Sequence, residues 1–137
     1  VTTSRRGWIV GIDAAHDNPY DGATLKPALA QVKRLTGVRP EAAFVDKGFR
    51  GQRYHPKAVA VYIAGRRNLT PQLRKLLKRR SAIEPVIGHT KHDHGLNRNY
   101  LLGKVGDRIN ALLSGCAWNL KKLWRYFVEH PLPAPVT

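Results

Sequence analysis

The sequence predicts an α/β domain, because short runs of β-branched and aromatic residues alternate with segments whose apolar residues recur at helical spacing. With 137 residues, 42% of them hydrophobic, the chain has the size and composition of one globular domain. Its charge is the third observation. Twenty-four Lys and Arg against nine Asp and Glu give a net charge of +15, which predicts a polyanionic partner.

The first third of the chain has the pattern strand, helix, strand. Residues 8–12 predict a strand that runs into the turn-rich segment 17–22. Apolar residues at helical spacing between 25 and 35 predict a helix that ends at Gly37, and Pro27 fits this helix only in its first turn. Residues 42–45 predict a second strand, which ends at Asp46.

The remainder of the chain is predicted to contain one more strand, over 59–63, and then helices. Thr70 and Pro71 have the residue types of a helix start, and the capping-box spacing of Ser81 and Glu84 predicts a break near Ser81. A wide apolar stripe then predicts a long last helix, formed by Ile109, Leu112, Leu113, Cys116, Leu120, Leu123, Trp124 and Phe127. We therefore predict one domain over residues 1–130 and a proline-rich tail over 131–137.

Two absences in the sequence restrict the class of protein. The single cysteine, Cys116, excludes an intrachain disulfide, and its apolar neighbours predict a buried thiol. No apolar run reaches the roughly 18 residues that a membrane span needs, and no leader opens the sequence. These features predict a cytoplasmic protein without membrane partners.

The positive charge is concentrated in one part of the chain. Between Lys47 and Arg108 there are fifteen basic and three acidic residues, so this segment carries +12 of the total +15. The basic residues from Arg66 to Arg80 have no acid among them, which favours contact with nucleic-acid phosphates over the alternative of a solvated helix face. Arg80 shares a helical face with Glu84, which suggests that it orients this carboxylate.

Enzymes that act on nucleic-acid phosphates typically hold two divalent metals with carboxylates, so the nine acids are the candidate ligands. Local structure accounts for three of them: Glu41 follows Pro40 in a turn, Asp107 is expected to cap the last helix, and Glu129 lies next to the proline-rich tail. Asp17 and Asp21 are expected in a turn, and Asp21 could also cap the helix that follows it. Asp46 is the strongest candidate because it ends a hydrophobic strand before a glycine-rich segment, although a simple turn aspartate is the alternative.

Three further acids are weaker or ambiguous candidates. Glu84 is the only acid between Arg66 and Lys91, so it is either an ion-pair partner or a metal ligand. Asp13 is more readily explained as a turn residue. Asp93 belongs to the cluster His89-x-x-His92-Asp93-His94, in which we favour a polar surface over a zinc site, because consecutive residues diverge on a helix.

Several sequence motifs in order identify a family resemblance. They are Asn18-Pro19-Tyr20-Asp21-Gly22, Phe44-Val45-Asp46-Lys47-Gly48-Phe49-Arg50-Gly51, Arg80-x-x-x-Glu84-x-x-Ile87-x-x-x-Lys91 and His94-Gly95-Leu96-x-Arg98-Asn99-Tyr100. Together they resemble the carboxyl-terminal part of DDE transposases of bacterial insertion sequences, the insertion-sequence-five group in particular.

The resemblance implies a fold, an activity and site residues. The fold is a ribonuclease-H-like mixed sheet flanked by helices and lacking its first strand or strands. The activity is metal-dependent hydrolysis and strand transfer at the ends of an insertion sequence, with double-stranded DNA as partner and two Mg²⁺ or Mn²⁺ ions as cofactors. Asp46 and Glu84 match catalytic, metal-binding carboxylates. Arg80 and Lys91 match the arginine and lysine of the family signature around the glutamate. Together with the basic residues already singled out by their charge, the residues expected to contact DNA are Arg74, Lys75, Lys78, Arg79, Arg80 and Lys91.

The chain departs from the family pattern at two places. The signature usually has a tyrosine at the position of Leu77. In the family the first catalytic aspartate lies on an earlier strand, upstream of the segment that Val1-Thr2-Thr3 finishes, and by motif order Asp13 does not match it. We therefore expect the chain to be inactive alone and to need an upstream polypeptide or a homo-oligomer. The alternatives are a non-catalytic basic DNA-binding module and, less favoured by the ordered motifs, an RNA-binding or ribosome-associated protein.

Overall fold

A computed structural model describes residues 1–17, 19–65 and 69–131, and for Arg79 the backbone alone. These residues form two small sheets and four helices, which confirms the mixed α/β class. The strands are β1 (Thr2–Thr3), β2 (Ile9–Gly11), β3 (Ala42–Val45) and β4 (Ala60–Ile63), and the helices are α1 (Asp21–Thr36), α2 (Pro71–Arg80), α3 (Ile83–Asp93) and α4 (Gly103–Glu129).

Helix α1 follows the antiparallel pair β1 and β2 and ends as predicted. Gly37 adopts the left-handed conformation, with φ 71°, and its N–H donates to the carbonyl of Lys33. The prediction for Pro27 was wrong, because α1 already begins at Asp21 and places Pro27 in its second turn. The helix start is also not capped by Asp21: Tyr20 is the N-cap residue, and Asp21 lies in the first turn.

Strands β3 and β4 form a parallel pair in which Ala42 faces Ala60 and Val45 faces Ile63. Parallel strands bring their carboxyl ends to one edge of the sheet. Asp46 follows β3 directly and therefore lies at this edge, as the sequence predicts.

The break between α2 and α3 lies where the sequence predicts it, at Ser81 and Ala82. Thr70 caps α2, since its hydroxyl accepts a hydrogen bond from the N–H of Leu73 (3.3 Å). The capping box at Ser81 was wrong: Ala82 is the N-cap residue of α3 and makes no side-chain cap. Asp107 does not cap α4 either, because this helix begins four residues earlier.

Helix α4 packs against β2 through its small residues. Ala111, Ser114 and Gly115 are buried, and a Cβ on Gly115 would lie 3.0 Å from Ile12. The core beside them contains Ile9, Ile12, Val86 and Ala111.

Most of the predicted apolar stripe of α4 is instead exposed, and so is Cys116, whose predicted burial was wrong. Small residues allow the closest approach to β2, so the face of α4 that carries them turns inward.

The Asn119 side chain ties α4 to the edge of β2. Its amide accepts a hydrogen bond from the N–H of Ile9 (2.9 Å) and donates one to the carbonyl of the same residue (2.8 Å). The indole of Trp118 also donates to the carbonyl of Gly7 (3.0 Å). The amide of Asn119 thus satisfies both backbone groups of Ile9, as a neighbouring strand would.

The described residues do not form one continuous mixed sheet. The pairs β1–β2 and β3–β4 are separate two-stranded sheets, and a groove of about 590 Å³ has residues of both pairs in its lining. Residues 1–4 line one part of it and residues 42–44 another, while α1 contributes Leu25, Leu29 and Val32. The expected single mixed sheet is therefore not confirmed within the described residues, which form two separate two-stranded sheets with a largely apolar groove beside them.

Among the described helices, none combines the length and the apolar character that a membrane span requires. Residues 132–137, which make up most of the predicted proline-rich tail, lie outside the described residues.

Candidate carboxylate site and basic surface

Asp46 is held at the end of β3 by its own turn. It is the N-cap of a short 3₁₀ turn over Lys47–Phe49, and its Oδ1 accepts a hydrogen bond from the N–H of Gly48 (3.0 Å). About half of the side chain is exposed, at 48%. One carboxylate oxygen is thus fixed by the backbone, and the other, Oδ2, faces Arg80.

Arg80 is the residue that connects Asp46 and Glu84. Its Nη1 lies 3.9 Å from Asp46 Oδ2, and its Nη2 lies 3.7 Å from Glu84 Oε1. The side chain of Arg80 is only 23% exposed, whereas that of Glu84 is 68% exposed. Because the terminal nitrogens of one guanidinium are about 2.3 Å apart, these contacts keep the two carboxylates within roughly 10 Å of each other.

The break between α2 and α3 explains how this contact forms. Arg80 is the last residue of α2 and Glu84 the second residue of α3, so their i, i+4 spacing is kept across the turn. The predicted orienting role of Arg80 agrees with its contact to Glu84. Sequence spacing could not show its second contact, to Asp46, because that carboxylate belongs to a different element.

The structure gives other acids local roles. Asp13 lies 3.5 Å from Arg108 and accepts a hydrogen bond from the N–H of Ala14. Asp17 is paired with Lys104 (3.7 Å). Asp107 accepts a hydrogen bond from the side chain of Asn99 and lies 3.6 Å from His16. Asp21 is different, because its carboxylate lies over Gly48 beside Asp46, which sequence reasoning missed.

No three His, Cys, Asp or Glu side chains within ranges 1–17, 19–65 and 69–131 converge as a complete metal site. Arg80 lies between Asp46 and Glu84, and Glu84 points largely into solvent. The donor chemistry nevertheless fits a hard divalent cation, because carboxylate oxygens are its preferred ligands. A guanidinium contacts both carboxylates, so a positive charge is already accommodated between them.

The basic residues of α2 form an exposed surface that we call the α2 basic surface, defined by Arg74, Lys75 and Lys78. Leu77 on the same helix is buried, so α2 is amphipathic and its apolar side faces the protein interior. Lys91 is exposed on α3, two turns beyond Glu84. Of the other predicted DNA contacts, Arg66, Arg67 and the side chain of Arg79 lie outside the described residues, as does Asn18 of the first motif.

The histidine cluster forms a polar network on α3 and α4. Asp93 Oδ2 lies 3.0 Å from His89 Nδ1 and 3.2 Å from Lys121 Nζ. Hydrogen bonds from Lys121 and His89 hold the pKa of the Asp93 carboxyl below its usual range. His94 is half-buried, its Nε2 has no hydrogen-bond partner within the described part of the chain, and burial, assisted by Lys121, lowers its pKa.

The lowered pKa of His94 makes stability depend on pH. Below about pH 6.5, the ordinary pKa of histidine, the unfolded chain binds a proton more readily at this residue than the folded chain does. The free energy of unfolding should therefore fall as the pH drops through about 6.5, and His94→Gln should reduce this dependence. Chemical denaturation between pH 5.5 and 7.5 measures it, with the exposed His92→Gln as control; equal pH dependence in His94→Gln and the wild type would contradict the assignment.

A mixed α/β chain with carboxylates at a sheet edge, next to a strongly basic helix, has the features of a protein that acts on nucleic-acid phosphates. The Transposase DDE domain family matches residues 50–124, which is more than half of the chain. The chain therefore belongs to the DDE transposase family, whose domains generally bind DNA and use divalent metals. Glu84, Arg80 and the α2 basic surface lie within the matched stretch, and Asp46 precedes it by four residues. No curated protein and no solved structure shows significant similarity to the chain.

Proposed function

We propose that this protein is the carboxyl-terminal part of a transposase of the insertion-sequence-five group, in which Asp46 and Glu84 hold divalent metal for DNA cleavage and strand transfer. The observation that carries this proposal is the shared contact of both carboxylates with Arg80. The two acids are 38 positions apart and lie on different elements, yet one guanidinium reaches both. Membership of the DDE family supports a function in cutting DNA.

In this proposal Asp46 and Glu84 hold Mg²⁺ or Mn²⁺, and Arg80 balances their charge before metal enters. When bound, such a cation supplies Lewis-acid activation of water or of a DNA 3′-hydroxyl for attack on a phosphodiester. Arg80 then remains close enough to contact the DNA backbone, since arginine pairs with phosphate as readily as with carboxylate.

The groove beside the two separate sheets supports the proposal that they belong to a ribonuclease-H-like sheet with a further strand. Residues of β1 and β3 both line this groove, and each belongs to a sheet of only two described strands. An inserted strand would find backbone partners in edge strands and an apolar floor in α1. We propose that this strand carries the first catalytic aspartate, and that it comes from an upstream polypeptide or from a second subunit. Without it, we expect cleavage by the 137-residue chain to be absent or very slow.

The α2 basic surface supplies the proposed contacts to double-stranded DNA. Lysine and arginine on an exposed helix neutralise phosphates and position the duplex without specifying sequence. Arg80 lies on the same helix, so DNA bound along α2 would pass beside Asp46 and Glu84. Lys91 and Arg79 complete the proposed set. In a bacterial cell, this surface and the net charge of +15 would associate the protein with the nucleoid.

Replacement of Arg74, Lys75 and Lys78 by Ala should weaken binding to all DNA duplexes similarly. Each lost phosphate contact should reduce the slope of log affinity against log salt concentration by about 1. Fluorescence anisotropy at several salt concentrations measures this slope. As a control for the loss of three charges, Lys33, Arg34 and Arg39 are exposed and lie outside the segment 47–108. An equal change in both triple variants would show that α2 is not the DNA-binding surface.

A non-catalytic DNA-binding module is the alternative that the α2 basic surface alone would also support. The two functions differ in their response to metal. The protein extended by an upstream strand at Val1 should nick labelled duplex DNA in the presence of Mg²⁺ or Mn²⁺, whereas the 137-residue chain should nick it very slowly or not at all. DNA binding without metal-dependent nicking in the extended protein would favour the alternative.

A further inference from the structure

The carboxylate of Asp21 lies directly beside that of Asp46. A Cβ added to Gly48 would overlap Asp21 Oδ2 and would lie 3.3 Å from Asp46 Oδ1. One carbon atom placed at Gly48 would therefore touch both carboxylates. Asp21 and Asp46 border the same small space, which exists because residue 48 has no side chain.

The segment that contains Asp21 is fixed to the loop after Asp46. The Tyr20 hydroxyl donates a hydrogen bond to the carbonyl of Arg50, and the ring centroids of Tyr20 and Tyr54 are 5.3 Å apart. The start of α1 is thus attached to this loop by contacts on the residue next to Asp21. The Asp21 side chain is itself exposed, so the position of its carboxylate is set by the tertiary contacts of the neighbouring Tyr20.

The charges around Asp46 are distributed unevenly. Arg80 faces Asp46 Oδ2, whereas Asp21 approaches from the side of Oδ1. Within the described residues, Asp21 has no ion-pair partner of its own. Two carboxylates this close repel each other unless a cation lies between them.

We infer that Asp21 is a further metal ligand, which binds the divalent cation together with Asp46. This inference rests on the proposed function, because it gives Asp46 of the proposed metal site a second carboxylate partner besides Glu84, although the three carboxylates do not converge within the described residues. It assigns Gly48 a specific role, namely to leave the space through which Asp21 reaches the site. Asp21 then contributes negative charge from α1, independently of any carboxylate on an added strand.

The test is the affinity of the 137-residue chain for Mn²⁺, followed by electron paramagnetic resonance of the free ion. Asp21→Asn should weaken binding by about 10-fold or more, because affinity for hard cations follows the number of charged ligands. Gly48→Ala keeps every acid but displaces the Asp21 carboxylate, so it should weaken Mn²⁺ binding as well. Alanine is compatible with the backbone there, since the φ of Gly48 is not positive.

Asp17→Asn is the matched control, because it removes the same charge from the same loop region at a side chain that is 90% exposed. Asparagine also tolerates the φ of 60° at this position. Asp17→Asn should leave Mn²⁺ affinity unchanged, and thermal melting without metal shows which variants are folded. A role of Asp21 in helix stability alone would change the melting temperature but not Mn²⁺ affinity.

Asp46→Asn distinguishes a failure of the proposed metal site from a failure of the role of Asp21 alone. If Asp46→Asn weakens Mn²⁺ binding and Asp21→Asn does not, the role of Asp21 is overturned while the proposed site stands. If neither substitution changes Mn²⁺ affinity, the proposed metal site itself fails, and the role of Asp21 fails with it. Weaker binding in Asp46→Asn, Asp21→Asn and Gly48→Ala, with Asp17→Asn unchanged, supports both.

Discussion

Glu84→Gln should abolish DNA strand cleavage in a protein that carries the added upstream strand, and Asp46→Asn should have the same effect. Loss of a group that merely orients a metal ligand costs about 10- to 100-fold, so loss of the ligand itself should exceed about 100-fold. Glutamine and asparagine keep the size and the hydrogen-bonding oxygen of the acids they replace. The loss should therefore appear in metal-dependent cleavage and not in folding.

Strand cleavage of an end-labelled duplex, followed by gel electrophoresis at several Mg²⁺ concentrations, measures this effect. Asp13→Asn provides a control. Asp13 also follows a strand, but its carboxylate pairs with Arg108 and lies outside the proposed site. Full cleavage activity in either Glu84→Gln or Asp46→Asn would remove that carboxylate from the catalytic machinery. Unchanged DNA affinity in both variants would place the defect after binding.

Asn119→Ala should strongly destabilise the fold at a position outside the carboxylate site. The side-chain amide of Asn119 satisfies both the N–H and the carbonyl of Ile9, a residue only 7% exposed. Each buried backbone group left without a partner costs about 1–3 kcal/mol. We expect the free energy of unfolding to fall by about 2–4 kcal/mol.

Urea denaturation followed by circular dichroism measures this loss. Asn110→Ala is a matched control on the same helix, because Asn110 donates one longer hydrogen bond, to the carbonyl of Gly95 (3.3 Å). It should cost about 1 kcal/mol or less. Equal losses in the two variants would show that the contact between α4 and β2 does not depend on the amide of Asn119.

Local residue types predicted the regular elements well. Gly37 ends α1, Thr70 and Pro71 open α2, and β3 ends directly before Asp46, because caps, turns and hydrophobic runs act over a few residues. The orientation of α4 could not be predicted in this way. Hydrophobicity favoured its leucine-rich stripe as the inner face, but close packing on β2 selected the face of Ala111, Ser114 and Gly115.

The candidate site was predictable in part for a similar reason. Asp46 and Glu84 stood out through their sequence context and a family resemblance, and Arg80 through its helical spacing from Glu84. Asp21 did not, because a turn aspartate before a helix has a sufficient local explanation. Its approach to Asp46 depends on a tertiary contact, and Gly48, two residues after Asp46, is the sequence signal that could have indicated it.

The shared use of divalent metal by Asp46 and Glu84 is tested most directly by crystals of the chain soaked in MnCl₂. Anomalous diffraction locates Mn²⁺ independently of any assay of activity. We expect an anomalous peak about 2.2 Å from carboxylate oxygens of both Asp46 and Glu84, with the Arg80 guanidinium displaced from its position between them. A crystal in which Mn²⁺ is bound elsewhere, while Arg80 still contacts both carboxylates, would contradict the proposed site.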